Sequence, residues 1–304
     1  MHRHAICWLN GELLPAAQAT LSVLDHGLLY GDGIFEGIRF YNRHAFRLDA
    51  HLDRLELSAR AIALQIPYGR DALIEAIART IAAFEEPDGY LRLVVTRGVG
   101  PMGLNPRGCG PATLFIVADQ LSLTSRAVRE EGARLIIAAT QRLPPNGLDP
   151  RIKSLNYLNH ILARIEANHA GVDEAVLLNG AGRVAEGTAE NLFVVRDGAL
   201  LTPPTTEGAL DGITRQCIIE VAVEAGIPVC ECPLAPYDLY TADECFLTGT
   251  AAELIPVRDI GGRPMTQCPG QLFLSLQDRF AALVERETGS MAADRSPHLR
   301  LERT

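Results

Sequence analysis

Apolar residues recur along this chain with two periods, and the switches between them mark the elements. Period two comes first: "ICWLNGELL" alternates around Asn10-Gly11, the dipeptide that a two-residue hairpin favours. "GIFEGIRFYNRHAFRL" reads as two strands across a turn at Asn42-Arg43. The period then lengthens. In "DAHLDRLELSARAIAL" positions 52, 55, 59, 62 and 64 are apolar, close to helical spacing, with Asp49 as candidate N-cap. A second helix is expected over roughly 71–84, and the strands "YLRLVVTRG" and "PATLFIVAD" follow.

"QLSLTSRAVREEG" interrupts both periods and reads as a connection between domains. Beyond it, strand "ARLIIAAT" leads through the Pro- and Gly-rich loop "QRLPPNGLDPR" to a helix, "SLNYLNHILARIEANHAG". That helix aligns Leu155, Leu158, Leu162 and Ile165 on one face and stops at Gly171. "EAVLLNGAGRVAEG" and "NLFVVRDGALLTPP" read as hairpins, the second turning at Asp197-Gly198. A helix follows "DGI" and ends at Gly226. Strands "IPVCECP" and "ADECFLTGT" and a helix near 270–286 close the pattern. The expectation is an α/β (α+β) chain: a small N-terminal α/β domain over 1–119, an interdomain loop over 120–130, a larger strand-rich domain over 131–288, and a tail over 289–304.

Composition narrows the function. With 304 residues, 47% hydrophobic and 21% charged, the chain can bury a sizeable core. A net charge of −9 excludes a phosphate backbone as the natural partner, so no nucleic acid is expected. No run of 18 apolar residues appears, so no membrane helix is expected. "MHRHAICWLNGELL" lacks the apolar stretch of a signal peptide, and a cytoplasmic location is the expectation. The seven cysteines are scattered; even "CEC" at 230–232 has no cluster beside it, so reduced thiols are expected. The eight histidines show no zinc spacing, and no metal is expected. "GVGPMG" at 98–103 fits a dinucleotide fingerprint with Asp119 downstream, but "LNPRGCGP" cannot supply the helix such a site requires.

One residue then changes the picture. Lysine and arginine together number 28, and Lys153 is the single lysine among them. A primary amine condenses with an aldehyde, which a guanidinium does not. Lys153 lies just before a predicted helix with Ser154 available as N-cap, where the helix dipole should lower its pKa from ~10.4. Chance retention of one lysine is the competing explanation, and the neighbourhood must decide.

Pyridoxal phosphate needs a lysine, an anion site for its phosphate, an acid at its ring nitrogen and a donor at its ring oxygen. "LDGITRQCIIE" opens a helix after a glycine, freeing the N–H groups of Ile213 and Thr214 for an anion. "FLTGTAAEL" offers Thr250 and adjacent N–H groups. "GRVAEGTAENLF" presents Glu186 in a tight loop, and Tyr157 follows Lys153 by one helical turn. Each has a plainer alternative: a solvated turn carboxylate, an ordinary helix start, a packed tyrosine.

The runs "KSLNYLN", "EGTAENLF", "LLTPPTTEGALDGITR" and "FLTGTAAELIPV" strongly resemble the class IV (fold type IV) pyridoxal-phosphate aminotransferases, from "WLNGELL" to about residue 262. The resemblance implies two domains of the D-amino-acid-aminotransferase type with the cofactor between them. It implies Lys153 as the lysine joined to the cofactor, Glu186 at the ring nitrogen and Tyr157 at the ring oxygen. Arg54, Ile213, Thr214 and Thr250 would take the phosphate. "YGDGIFEGIRFY" and "GYLRLVVTRGVGPMGLNP" look like the branched-chain aminotransferases. By that likeness Tyr30, Phe35 and Arg39 contribute to the substrate pocket. Tyr90, Thr250 and Ala251 hold the α-carboxylate, Arg92 receives a distal carboxylate, and Leu104 reaches in from a second subunit. The implied partners are small amino acids and 2-oxo acids, and the implied assembly is a homodimer or higher homo-oligomer. The implied reaction is transfer of the amino group between leucine, isoleucine or valine and 2-oxoglutarate by a ping-pong mechanism. D-amino-acid transaminase and aminodeoxychorismate lyase are the rivals on the same scaffold, and a pyridoxal-phosphate-binding protein without activity is the rival from another class. "KSLN" also occurs in D-amino-acid transaminases, but the tyrosine after it is typically aliphatic there, and their arginine-histidine carboxylate trap has no counterpart around Pro87–Gly103.

Overall fold

The structure is a computed structural model and describes residues 4–121 and 125–289. The predicted tail, apart from Gly289, lies outside the described residues. Strands β1 (Ile6–Leu9), β2 (Glu12–Pro15), β3 (Gly33–Tyr41), β4 (His44–Ala45), β5 (Gly89–Thr96) and β6 (Thr113–Asp119) form one antiparallel sheet in the order β2-β1-β6-β5-β3-β4. A short helix α1 (His26–Tyr30) precedes β3, and α2 (Leu48–Ala61) and α3 (Arg70–Ala83) cover one face. Leu52, Leu55 and Ala59 of α2 and Leu73, Ile77 and Ile81 of α3 pack on Ile38, Leu91 and Leu93 of the sheet. Truncating one such fully buried leucine to alanine costs about 2–5 kcal/mol.

After α4 (Arg126–Glu131) and β7 (Ala133–Ile137), α5 (Leu158–Ala170) is followed by the strands of a second sheet. These are β8 (Glu174–Leu178), β9 (Val184–Glu186), β10 (Asn191–Arg196), β11 (Ala199–Thr202), β12 (Val229–Glu231), β13 (Glu244–Gly249), β14 (Glu253–Ile260) and β15 (Arg263–Pro264). Their order is β12-β11-β10-β13-β14-β7-β8-β9, with β15 beside β14. Helices α6 (Ile213–Glu224), α7 (Pro236–Tyr240) and α8 (Gln271–Thr288) complete the lobe. Alternation along β10 sends Phe193 and Val195 toward α6 and α8 and Leu192 and Val194 to the opposite core. Both faces are covered, so β10 is an almost unbroken apolar run. Tyr41 and Phe46, from the β3–β4 hairpin, pack into the α6–α8 core and join the lobes.

The predicted hairpins at Asn10-Gly11, Asn42-Arg43 and Asp197-Gly198 all form. Two expectations require correction. Asp49 is not an N-cap: Arg47, left-handed at φ 53°, occupies that place, and Asp49 sits in the first turn, where it binds Arg70 at 2.9 Å. Helix α5 begins at Leu158, not at Ser154, because residues 153–155 are drawn into extended pairing with β3. Phe35 N–H donates to Lys153 O at 2.9 Å and Leu155 N–H to Gly33 O at 3.0 Å. Gly33 permits this approach; a Cβ there would meet Leu155 Cδ1 and Val95 O at 2.7 Å. The aligned apolar face of α5 does not enter the core. Leu158, Ile161, Leu162 and Ile165 are 66, 52, 47 and 43% exposed, whereas His160, Ala163 and Ala167 are buried. No helix follows "GVGPMG"; a 3-10 turn at Pro106–Gly108 does.

Candidate active site

Pairing with β3 fixes where the single lysine points. Ser58 Oγ, on α2, accepts from Lys153 N–H at 3.2 Å. The side chain then reaches Tyr157 Oη at 3.4 Å and lies 4.6 Å from the centre of the Phe35 ring. Burial, followed by the positive charges of Arg54 and Arg92, pushes the amine down to about 7, with Glu36 and Glu186 partly opposing. The direction matches the sequence expectation, but the helix dipole is not the cause, since α5 starts five residues later.

On one side of Lys153 is an acid end. Glu186, at the end of β9, has Oε1 3.0 Å from Arg142 Nη2 and 3.5 Å from His160 Nε2, and Oε2 accepts from Leu210 N–H at 2.8 Å. Tyr157 stacks on His160 with ring centres 4.4 Å apart at 18° and meets Phe35 edge-on at 5.1 Å. Burial, then the charge of Glu186, pushes the Tyr157 phenol well above its ordinary value, so it stays a hydrogen-bond donor at neutral pH.

On the other side is an anion end. Helix α6 opens at Gly212 with no side-chain cap, leaving first-turn N–H groups at Ile213 and Thr214 unclaimed by side chains. Gly212 is required by space, because a Cβ would lie 2.0 Å from Asn191 Oδ1. Arg54 donates through Nη1 to Asp211 O at 2.7 Å, on the same turn. Its Nε and Nη2 grip both oxygens of Glu36 at 2.8 and 2.7 Å, and His51 Nδ1 meets Glu36 at 2.8 Å. Burial alone would raise the Glu36 pKa; the charges and hydrogen bonds of Arg54 and His51 outweigh it and hold the carboxyl far below the usual range. Thr250 lies in the turn between β13 and β14. Two strand positions earlier, Thr248 Oγ1 is buried without a hydrogen-bond partner.

Among the substrate candidates, Phe35 is buried beneath the Arg92 guanidinium at 4.5 Å, and Arg92 is also 5.5 Å from the Tyr90 ring. Tyr90 crosses over Gly37, where a Cβ would lie 1.9 Å from the tyrosine hydroxyl. Phe35, Tyr90, Arg92, Lys153 and Tyr157 thus form one cluster. Arg39 instead donates to Ala251 O at 2.9 Å, and Tyr41 donates to Glu253 Oε1 at 2.7 Å, so both brace the 250–253 turn. Tyr30 and Leu104 stand apart from the cluster: Tyr30 Oη accepts from Gly103 N–H at 2.9 Å, and Leu104 is 81% exposed.

Sequence reasoning passed over Glu36, Arg142, His160 and Ser58. Glu36 carried a signal: a carboxylate within the largely apolar run of β3, where all residues but Arg39 are buried, requires a cation. Arg142 and His160 carried none that local pattern could read, since their partner Glu186 is 44 and 26 residues away. No group of three His, Cys, Asp or Glu that could hold a metal exists among the described residues.

Together the site offers a neutralisable amine, a guanidinium at an uncapped helix start, a buried carboxylate and a protonated phenol. The unpartnered hydroxyl of Thr248, whose strand partner Asn191 lies against Gly212, and the N–H groups of α6 that no side chain caps add unsatisfied polar capacity. This donor set fits pyridoxal phosphate: one group for each of its aldehyde, phosphate, ring nitrogen and ring oxygen.

Comparison with known proteins leads to the same class. Residues 33–260 match the family model for amino-transferase class IV, and the chain belongs to that family. A protein of Methanocaldococcus jannaschii, provisionally named a branched-chain-amino-acid aminotransferase, is 48% identical over 274 residues, covering 90% of this chain and 94% of its own. The crystal structure of the Escherichia coli branched-chain amino acid aminotransferase superposes with TM-score 0.89 at 35% identity, covering 96 and 97% of the two chains. The branched-chain amino acid aminotransferase of Thermobaculum terrenum, solved in its PLP-form (holo-form), superposes with TM-score 0.85 at 31% identity, covering 95 and 98%.

Proposed function

We propose that this protein is a branched-chain-amino-acid aminotransferase that uses pyridoxal 5'-phosphate and moves the amino group between leucine, isoleucine or valine and 2-oxoglutarate. The observation that carries the reading is the single lysine amine, lowered to about 7 and set between the acid and anion ends. The likeness to proteins of that name over most of the chain supports it.

When bound, pyridoxal phosphate supplies an aldehyde for amines and a ring that accepts the electron pair released as the substrate Cα–H bond breaks. Lys153 Nζ is the base that takes the Cα proton and the acid that returns it, a role suited to a group titrating near neutrality. Glu186 holds a proton at the ring nitrogen, and Tyr157 donates to the ring oxygen. Arg54, the N–H groups of Ile213 and Thr214, and Thr250 hold the phosphate.

Phe35 gives the aliphatic side chain an apolar wall. A methylene there discriminates by only ~1–3 kcal/mol, so all three branched substrates should be accepted. Tyr90, with Thr250 and Ala251, holds the α-carboxylate, and Arg92, cationic at the exposed rim, receives the second carboxylate of glutamate. Arg39 contributes to this pocket by fixing Ala251.

A second copy of the chain completes the site. The exposed apolar face of α5 continues to α1, where Leu28 is 67% exposed, and to the loop with Met102 and Leu104, 80 and 81% exposed. Asn156 Nδ2 donates to Gly31 O at 2.9 Å and ties these surfaces together. A homodimer covers that face and delivers Tyr30 and Leu104 to the partner's pocket.

The test is a titration of cofactor-loaded protein with L-leucine, D-alanine and aminodeoxychorismate. Loss of the visible cofactor band with L-leucine, and its recovery with 2-oxoglutarate, is the expected result. A response to D-alanine or aminodeoxychorismate alone would contradict the assignment.

A further inference from the structure

Helix α5 turns three side chains into the protein, and two of them, Ala163 and Ala167, are small and apolar. The third, His160, is only 6% exposed, and no step described above uses it. We infer that His160 is a positioning residue that donates from Nε2 to Glu186 while its ring supports Tyr157, so that one imidazole aligns both groups assigned to the cofactor ring. The inference rests on the function proposed above.

Three observations carry it. The imidazole is stacked on Tyr157 at 4.4 Å and 18°, the tyrosine whose hydroxyl lies 3.4 Å from Lys153 Nζ. Its Nε2 is 3.5 Å from Glu186 Oε1, the same oxygen that Arg142 Nη2 approaches at 3.0 Å. Its Nδ1 is buried with no hydrogen-bond partner. With no acceptor opposite Nδ1, Nε2 is the ring nitrogen whose proton meets an acceptor, the Glu186 carboxylate. A residue chosen for volume alone would be phenylalanine or leucine, which bury no unpaired nitrogen.

The neighbouring residue acts on the other half of the same ion pair. Asn159 Oδ1 accepts from Arg142 Nη1 at 3.2 Å, and Asn159 Nδ2 donates to Gln141 O at 2.8 Å. Arg142 Nε is fixed by Gly208 O at 3.0 Å. The first turn of α5 therefore grips both Arg142 and Glu186. One ring N–H and one ion-paired guanidinium on the same carboxylate oxygen restrict its rotation and fix where the cofactor's ring nitrogen would meet it.

The experiment compares His160→Phe, which keeps the stack, with His160→Gln, which keeps a side-chain N–H donor, in the full chain loaded with pyridoxal phosphate. At 3.5 Å this contact should be worth no more than an ordinary net hydrogen bond, about fivefold in rate. His160→Phe should lower kcat by about that factor with KM for leucine within twofold, shift the cofactor absorbance, and move the 15N resonance of labelled cofactor at the ring nitrogen. His160→Gln should recover at least half of the lost kcat. Nitrogen-15 spectra of the parent protein should place the His160 proton on Nε2. Unchanged kcat and absorbance in His160→Phe, a His160→Gln variant as impaired as His160→Phe, or a proton on Nδ1 would each overturn the inference. Should His160→Phe not fold, His160→Gln and the tautomer decide. Absence of pyridoxal-phosphate binding would instead strike the function itself, while the tautomer would still test the bond to Glu186.

Discussion

The two ends of the site hold buried carboxylates in opposite ways. Glu36, fully buried, spends both oxygens on Arg54 and His51 from α2, and the small lobe then offers Arg54 to the α6 turn of the large lobe. Glu186 takes its partners Arg142, His160 and Leu210 entirely from the large lobe. The anion end therefore spans the lobes and the acid end does not. A perturbation of the first should appear as lost cofactor affinity, and one of the second as lost chemical rate with the cofactor retained.

The largest expected effect breaks the acid end. Glu186→Gln should lower kcat by about 10²–10³, the scale of a removed electrostatic contact in a preorganised site, while the dissociation constant for pyridoxal phosphate changes far less. Steady-state kinetics beside an equilibrium binding titration measure both. Next comes the anion end: Arg54→Gln should weaken pyridoxal phosphate by about 10–100-fold but leave unphosphorylated pyridoxal within a few-fold. Equal weakening of both ligands would erase the distinction between the ends. Smaller again, Arg92→Gln should raise KM for 2-oxoglutarate about tenfold with KM for leucine nearly constant. The smallest effect is one of pH. In cofactor-free protein Lys153 has a folded pKa of about 7 against its ordinary 10.5, so its free base accumulates as pH rises through 7. Its rate of reaction with pyridoxal should climb over that range and level off; a climb centred near 10 would place the amine in water.

Local pattern carried the elements but not their partners. The hairpins at Asn10-Gly11 and Asp197-Gly198 were legible because the turn residues and the alternation beside them are contiguous in sequence. The apolar faces of α2 and α5 have the same periodicity, yet Leu52 and Leu55 are buried while Leu158 and Leu162 are exposed. Periodicity reports a face that is covered, not what covers it. The start of α5 was misplaced because pairing of 153–155 with β3, more than a hundred residues away, overrides local helix preference. In the site, Lys153 stood out by residue type, and Glu186, Ile213 and Thr214 by loop and helix-start context. Arg142 and His160 became visible only where the fold set them on Glu186.

The most direct measurement of the central claim is chemical. Protein loaded with pyridoxal phosphate is reduced with borohydride, digested and mapped by mass spectrometry. A reduced phosphopyridoxyl group on the peptide containing Lys153, in near-stoichiometric amount, is the result predicted. No adduct, or an adduct confined to the N-terminal amine, would contradict the account.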